Sequence, residues 1–424
     1  MSEKIHTGKK IGNVPNRGKS NIPRLRFPEF TGEWEVKKLG EIADKVNSGK
    51  TPLGGEAVYT KEGVLFIRSQ NVNNDGLELD NSVFIPESVN NQMKNSIVRS
   101  NDILLNITGA SLGRSCVVPE DFKMGNVNQH VCIIRLKQNY NPRFVQPILS
   151  SYKGQSIFNS LQTGSGREGL NFESIKGIKL SIPQKNEQVK IGNLLSLIDN
   201  RISTQSKIIN DLRTLKSATA KKIFSQELRF KDDMRNDYPK WNIRNIGDIC
   251  EVIGGGTPET NKVEYWNGNI QWFTPTEIKS NFVSKSERTI SELGLKNSSA
   301  KLLSKGAILL TTRATIGEAS IALEECTTNQ GFQSLITREE CNNLFIFNWI
   351  KMNKYELEKR ANGSTFSEIS KSEIEKIEIH IPCFEEQTKI ANFLSSFDSK
   401  IDIETQLLQK LEDQKKFVLQ QMFV

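Results

Sequence analysis

Ser48-Gly49-Lys50-Thr51 imitates the end of a phosphate-binding loop, in which a lysine and a hydroxyl neutralise and hold phosphate oxygens. That chemistry also needs an earlier glycine, and its place is taken by Asp44. About 200 residues on, the matching run is Gly254-Gly255-Gly256-Thr257, which has no lysine. The shared property is therefore a tight turn ahead of Pro52 and Pro258. Asn141-Pro142-Arg143-Phe144 approaches the Asn-Pro-Pro-Tyr pattern used in amine methylation, but it lacks the second proline and no glycine-rich cofactor turn precedes it. The three histidines, His6, His130 and His380, are too scattered for a Ser/His/Asp arrangement or a metal site. Cys116, Cys132, Cys250, Cys326, Cys341 and Cys383 form no CxxC pair and read as core or neutral thiols. Carboxylates are abundant without the clustered spacing of a metal nuclease.

What remains is polar recognition chemistry, and it occurs twice. Ile182-Pro183, Glu187-Gln188, Ile191, Asn193, Leu195-Ser196, Asp199 and Ile202 return without a gap as Ile381-Pro382, Glu386-Gln387, Ile390, Asn392, Leu394-Ser395, Asp398 and Ile401. Upstream the order also repeats: Leu25-Arg26-Phe27 with Leu228-Arg229-Phe230, Trp34 with Trp241, Thr51-Pro52 with Thr257-Pro258, and Tyr59 with Tyr265. Asn128-Gln129 matches Asn329-Gln330, and Gly164-Ser165 matches Gly363-Ser364. A chain of two like halves presents two similar surfaces. The 424 residues carry a net charge of +8, which favours a polyanionic partner without proving one. No apolar run reaches the roughly 20 residues of a membrane span, and the start lacks a signal-peptide core, so a cytoplasmic protein with no membrane contact is expected.

Phosphate contacts come from Lys, Arg and backbone N–H groups, whereas base edges are read by Arg, Lys, Asn, Gln and carboxylates. The candidate readers are loop residues at matching places whose identities differ between the halves. Arg68, Gln70 and Asn71 face Thr274, Thr276 and Glu277 across the repeat, with Lys279 just beyond. Ser111 and Arg114 correspond to Thr315 and Glu318, with Arg313 an addition in the second half. Gly164-Ser165-Gly166-Arg167, which offers Arg167, corresponds to Gly363-Ser364-Thr365-Phe366, which offers Ser364 and Thr365. Asn128, Gln129, Asn329 and Gln330 complete the set, and because they are identical in both halves they read equally well as scaffold.

The elements that must hold these loops are legible in the apolar periodicity. Short β-like runs such as Val64-Leu65-Phe66-Ile67, Ile103-Leu104-Leu105 and Val131-Cys132-Ile133-Ile134 are separated by Asn, Gly, Asp and Ser turns. Helical stretches around 142–161 and 344–361 intervene, which makes each half an α+β domain. After Pro183 and Pro382 the apolar period changes from two to about three and a half. Steps of four and three then predict two long helices with a coiled-coil seam of Ile198, Ile202, Gln205, Ile209, Leu212 and Lys216 against Phe397, Ile401, Glu404, Leu408, Leu411, Lys415, Val418 and Met422. Parallel pairing would set Lys216 against Lys415, so an antiparallel coil is expected, with Lys216 meeting Glu404 and Gln205 meeting Lys415. The expected organisation is a flexible basic tail over 1–24, a first domain over 25–182, a central spacer helix over 183–226, a second domain over 227–381 and a C-terminal spacer helix over 382–424.

This ordered, doubled set resembles the specificity subunit of type I restriction-modification systems. The residues that carry the resemblance are Leu104 to Gly113, Leu309 to Gly317, the two Asn-Gln pairs, Ile182 to Gln188 and Ile381 to Gln387. It implies a non-catalytic reader of double-stranded DNA with two target recognition domains, each reading half of an interrupted site, and helices that set the spacing. It further implies docking of two methyltransferase subunits and, in the full complex, motor-nuclease subunits. No cofactor is expected on this chain, while S-adenosylmethionine, ATP and Mg belong to the partner subunits. The rival readings are a coiled-coil adaptor that binds proteins and not nucleic acid, and a stand-alone enzyme.

Overall fold

The structure, a computed structural model, describes residues 21–162, 169–361 and 368–423. Two compact units divide the chain, one of 1–205 with 407–424 and one of 206–406. The division therefore falls inside both long helices, and each unit owns a segment of each.

In the first unit, Ala43–Ser48, Val131–Leu136, Ile103–Asn106 and Ser115–Val117 form an antiparallel sheet in that spatial order. A second sheet runs Val83–Ile85, Val64–Ile67, Gly125–Val127, Ile97–Val98, with a parallel pair at its centre. The apolar runs are continuous because both faces of the first sheet are covered. Cys132 and Ile134 face one core with Ile103 and Leu105, whereas Val131 and Ile133 face another with Leu104. The first of these cores also takes Phe144, Val145 and Leu149 from the helix Pro142–Ser150 and apolar residues of both long-helix segments.

The second unit repeats this plan. Cys250–Gly254, Gln333–Thr337, Ile308–Leu310, Ala319–Ala322 and Phe282–Val283 make one sheet, and Arg288–Ile290, Trp266–Phe273 and Cys326–Thr328 the other. Ile308 and Leu310 join the larger core, while Leu309 turns to the smaller one. Neither helical stretch is continuous. Ser151 is extended and its hydroxyl accepts the Gly154 N–H at 3.2 Å, which ends Pro142–Ser150 and caps Tyr152–Gln162; the second stretch breaks at Asn353, whose amide donates back to Trp349 O at 2.9 Å, before Lys354–Lys359.

The long helices are Lys185–Phe224 and Phe384–Met422, of 40 and 39 residues. Each is fixed to its unit through the Glu-Gln dipeptide of its first turn. Arg26 Nε and Nη2 donate to Glu187 at 2.7 and 2.8 Å, and the Trp34 indole N–H donates to it at 3.3 Å. Arg229 and Trp241 hold Glu386 in the same way. Gln188 accepts the Asn141 N–H at 2.9 Å and Gln387 the Asn342 N–H at 2.8 Å, tying each helix to the start of Pro142–Ser150 or Asn343–Met352. That is the role of Asn141-Pro142: Asn141 caps a helix by accepting the Arg143 N–H.

The helix segments pair antiparallel within each unit. Lys415 forms an ion pair with Asp199 at 2.7 Å in the first, and Lys216 hydrogen-bonds Asp398 at 2.6 and 2.7 Å in the second. Of the seam residues, Ile198, Gln205, Ile209, Leu411, Val418 and Met422 are buried, and Ile202, Leu212, Lys216, Phe397, Ile401, Glu404, Leu408 and Lys415 are half-buried. The ion pairs correct the expected register. Lys216 meets Asp398 rather than Glu404, and Lys415 meets Asp199 rather than Gln205. Both lysines meet carboxylates six residues before the expected partner, so the two segments are offset along each other by more than a turn, and Glu404 is engaged by Lys400 of its own helix.

Candidate nucleic-acid interface

The candidate loops of the first unit form one hydrogen-bonded rim beside the ends of Val64–Ile67 and Ile103–Asn106. Asn106 Nδ2 donates to Ser69 O at 2.8 Å and to Ser111 Oγ at 3.1 Å, and the Asn128 N–H donates to Ile67 O at 3.1 Å. Gly49 closes the rim from below, its N–H donating to Asn128 O at 3.1 Å. A Cβ at Gly49 would lie 1.6 Å from Val127 O, and one at Gly255 would lie 2.0 Å from Asn329 O. The imitation of a phosphate loop is thus a site of close backbone approach in both units. Thr51 and Thr257, which follow these glycines, donate to Gln129 Oε1 at 2.6 Å and to Gln330 Oε1 at 2.5 Å. Asn128 accepts the His130 N–H and Asn329 the Gly331 N–H, so both asparagines are turn-forming scaffold.

Not every candidate reaches the rim. Asn71 is 3% exposed, with its amide accepting the Arg68 N–H and donating to Glu78 O. Glu277, its counterpart, accepts from the Thr274 N–H and hydroxyl and from the Glu287 N–H. Both are corrected from readers to caps of a short 3-10 turn, because their polar atoms are spent on the backbone. Arg68 is half-buried, donates to Asn81 O and lies 6.0 Å from the Tyr59 ring centre. Lys279 lines a separate groove with Arg213, Lys216 and Asp398. Gln70, Arg114, Gln129, Thr276, Arg313, Thr315 and Gln330 are exposed, Arg114 donating to Asn73 Oδ1 at 3.2 Å. Ser111 and Thr274 are half-buried. Arg167, Ser364 and Thr365 lie outside the described residues, as do 1–20 of the basic tail.

The hydrogen bonds also correct the loop alignment. Asn106 and Thr311 N–H groups donate to Arg114 O and Glu318 O, and the left-handed residues Gly109 and Ala314 coincide. Arg313 is therefore the counterpart of Thr108, and the additional residue lies in the first loop. Arg313 pairs with Glu368 at 2.8 Å, whereas Thr108 contacts His130 at 2.5 Å. His130, Thr51, Thr257 and Glu368 were not among the sequence candidates; the duplicated Thr-Pro and Asn-Gln pairs were the signal for two of them.

Among the described residues no cluster of three or more His, Cys, Asp or Glu could hold a metal ion, and no helix is long and apolar enough to cross a membrane. Burial pushes the thiols of Cys116, Cys132, Cys250 and Cys326 up to about 12 and that of Cys341 to about 11, far from a reactive thiolate.

Known proteins share this arrangement. The type I restriction modification DNA specificity domain matches twice, over residues 31–214 and 238–413. The MjaIX specificity subunit of Methanocaldococcus jannaschii is 40% identical over 186 residues, spanning 42% of this chain and 43% of that protein. The putative MjaX specificity subunit of the same organism is 22% identical, over 94% of this chain and 95% of that one. The S subunit of a type I restriction-modification system from M. genitalium has the same fold, with a TM-score of 0.60, 16% identity, and coverage of 95% and 99%. A chain from a structure of type I R-M complex assembly superposes with a TM-score of 0.57 at 16% identity, over 91% and 96%. With the doubled rim, the doubled helix joint and two matches of one family model covering most of its length, the chain belongs to the type I restriction-modification specificity family and carries its DNA specificity domain twice.

Proposed function

We propose that each unit reads one half of an interrupted site in double-stranded DNA through its polar rim. The observation that carries this is a rim whose scaffold repeats, Thr–Gln bond by Thr–Gln bond, while the residues set on it change: Arg114 against Glu318, Thr108 against Arg313, His130 against Gly331. In this reading the paired helices set the half-site spacing and dock two methyltransferase subunits, and Ile208, Leu215, Ile403, Leu407 and Phe417 offer those partners exposed apolar surface. Motor-nuclease subunits complete the restriction enzyme. The chain itself is non-catalytic and cytoplasmic, and S-adenosylmethionine, ATP and Mg act on the partner subunits.

Exchanging residues 25–182 for those of another such subunit should change one half of the methylation motif, read by methylation mapping of the assembled enzyme. A change in both halves would contradict independent reading. Within the rims, Arg114→Ala and Arg313→Ala should each cost about 1–3 kcal/mol if the side chain meets a base edge, and should relax preference at one position. Loss of a phosphate contact would instead weaken all sequences alike and flatten the salt dependence. Binding titrations at two salt concentrations separate these outcomes, and unchanged affinity in both variants would move the DNA face elsewhere.

A further inference from the structure

We propose that His130 is a positioning residue that fixes the Gln129 amide as a base reader in the first unit, a role that no side chain among the described residues fills in the second. The inference rests on the rim being the DNA face. Thr51 donates its hydroxyl to Gln129 Oε1 at 2.6 Å, and Gln129 Nε2–H donates to His130 Nε2 at 2.9 Å. Since Nε2 accepts, the neutral imidazole carries its proton on Nδ1 and donates to Thr108 Oγ1 at 2.5 Å. The relay Thr51–Gln129–His130–Thr108 holds both ends of an exposed amide while leaving each with one further group to offer: a lone pair on oxygen and a hydrogen on nitrogen. That adjacent acceptor and donor complement the N6 donor and N7 acceptor of adenine in the major groove. An amide already fixed in its reading plane loses little freedom on binding, and a loose one loses more.

The second unit keeps half of this device. Thr257 donates to Gln330 Oε1 at 2.5 Å, but the next residue is Gly331. A Cβ at Gly331 would lie 2.7 Å from Pro275 Cγ and 2.9 Å from Asn329 Oδ1, so the local packing leaves no place for a histidine. Beside it stand Arg313 and its partner Glu368, where the first unit has Thr108 and Gly169. The same Asn-Gln scaffold thus supports an oriented amide in one unit and an oriented guanidinium in the other, which gives two half-sites different chemistry from one backbone.

The test uses the full chain assembled with its methyltransferase subunits, after the methylated motif has been mapped. Q129A, H130G, H130Q and the double variant Q129A/H130G are assayed on duplexes altered one base pair at a time in either half-site. Q129A and H130G should lower discrimination at the same base pair of the first half-site, by about 5- to 150-fold. The double variant should lose no more than Q129A alone, and H130Q, which returns a polar partner to the amide, should recover most of the preference. Unchanged discrimination in the second half-site confirms that each variant is folded. Wild-type behaviour of H130G, additivity with Q129A, or no recovery in H130Q would overturn the positioning role while leaving the rim as a reader. A Q129A variant with unaltered preference at every base pair would overturn the proposal and remove Gln129 from the DNA face.

Discussion

Replacing Glu386 with alanine is expected to destabilise the second unit by about 3–5 kcal/mol, the cost of breaking a buried ion pair from one side. Glu386 is fully buried, and its carboxylate takes two bonds from Arg229 and one from the Trp241 indole. Without it the guanidinium, held also by Tyr238 and Pro239 carbonyls, stays in a partly desolvated place with no counter-charge. Glu187→Ala should do the same to the first unit, where Arg26 and Trp34 are the partners. Glutamine at either position keeps a hydrogen-bond acceptor and should cost less. Urea unfolding of the full chain, followed through Trp34 and Trp241 fluorescence, would check this. Alanine variants with wild-type midpoints would mean that the joint does not hold helix to unit. The effect should exceed that of substituting the exposed rim residues Arg114 or Arg313, because those side chains face solvent and the Glu386 carboxylate does not.

That joint shows how far the residues could be read without coordinates. Arg26, Trp34 and Glu187 recur together as Arg229, Trp241 and Glu386, so the duplication marked all three, yet they are far apart in sequence and only the fold makes them one contact. The long helices and their seam were legible because an apolar period of three and a half constrains every turn. The two-faced strands were legible too, since burial on both sides leaves continuous apolar runs. Polar residues were harder. Asn71 and Gln70 are neighbours of similar chemistry, and nothing local says that one is buried as a cap while the other faces solvent. His130 was set aside as a poor metal ligand, and its role emerges only when Thr108 is brought to its ring. The seam lysines were assigned to one register, whereas the same apolar period permits an offset of more than a turn, in which they meet Asp398 and Asp199.

Those ion pairs give a second large effect. Lys216 and Asp398 have side chains 20% and 19% exposed, and the Lys415–Asp199 pair stands at the corresponding place in the first unit, so both units carry an ion pair between their helix segments. Asp398→Lys would put two ammonium groups where an ion pair stood. At about 4 Å and an effective dielectric of about 20 their repulsion is about 4 kcal/mol, which partial exposure reduces to roughly 2 kcal/mol after relaxation. Asp199→Lys should act alike in the first unit, and the two variants together should sum, because they share no partner. Reversing one pair, Lys216→Asp with Asp398→Lys, should recover most of the loss, since the antiparallel segments keep the same two side chains within reach. Thermal unfolding of the single, double and reversed variants reads the result. A reversed pair no more stable than Asp398→Lys alone would show that the lysine is needed for its apolar stem over the seam and not for its charge, and the bridges would then follow from the helix register and not help to fix it.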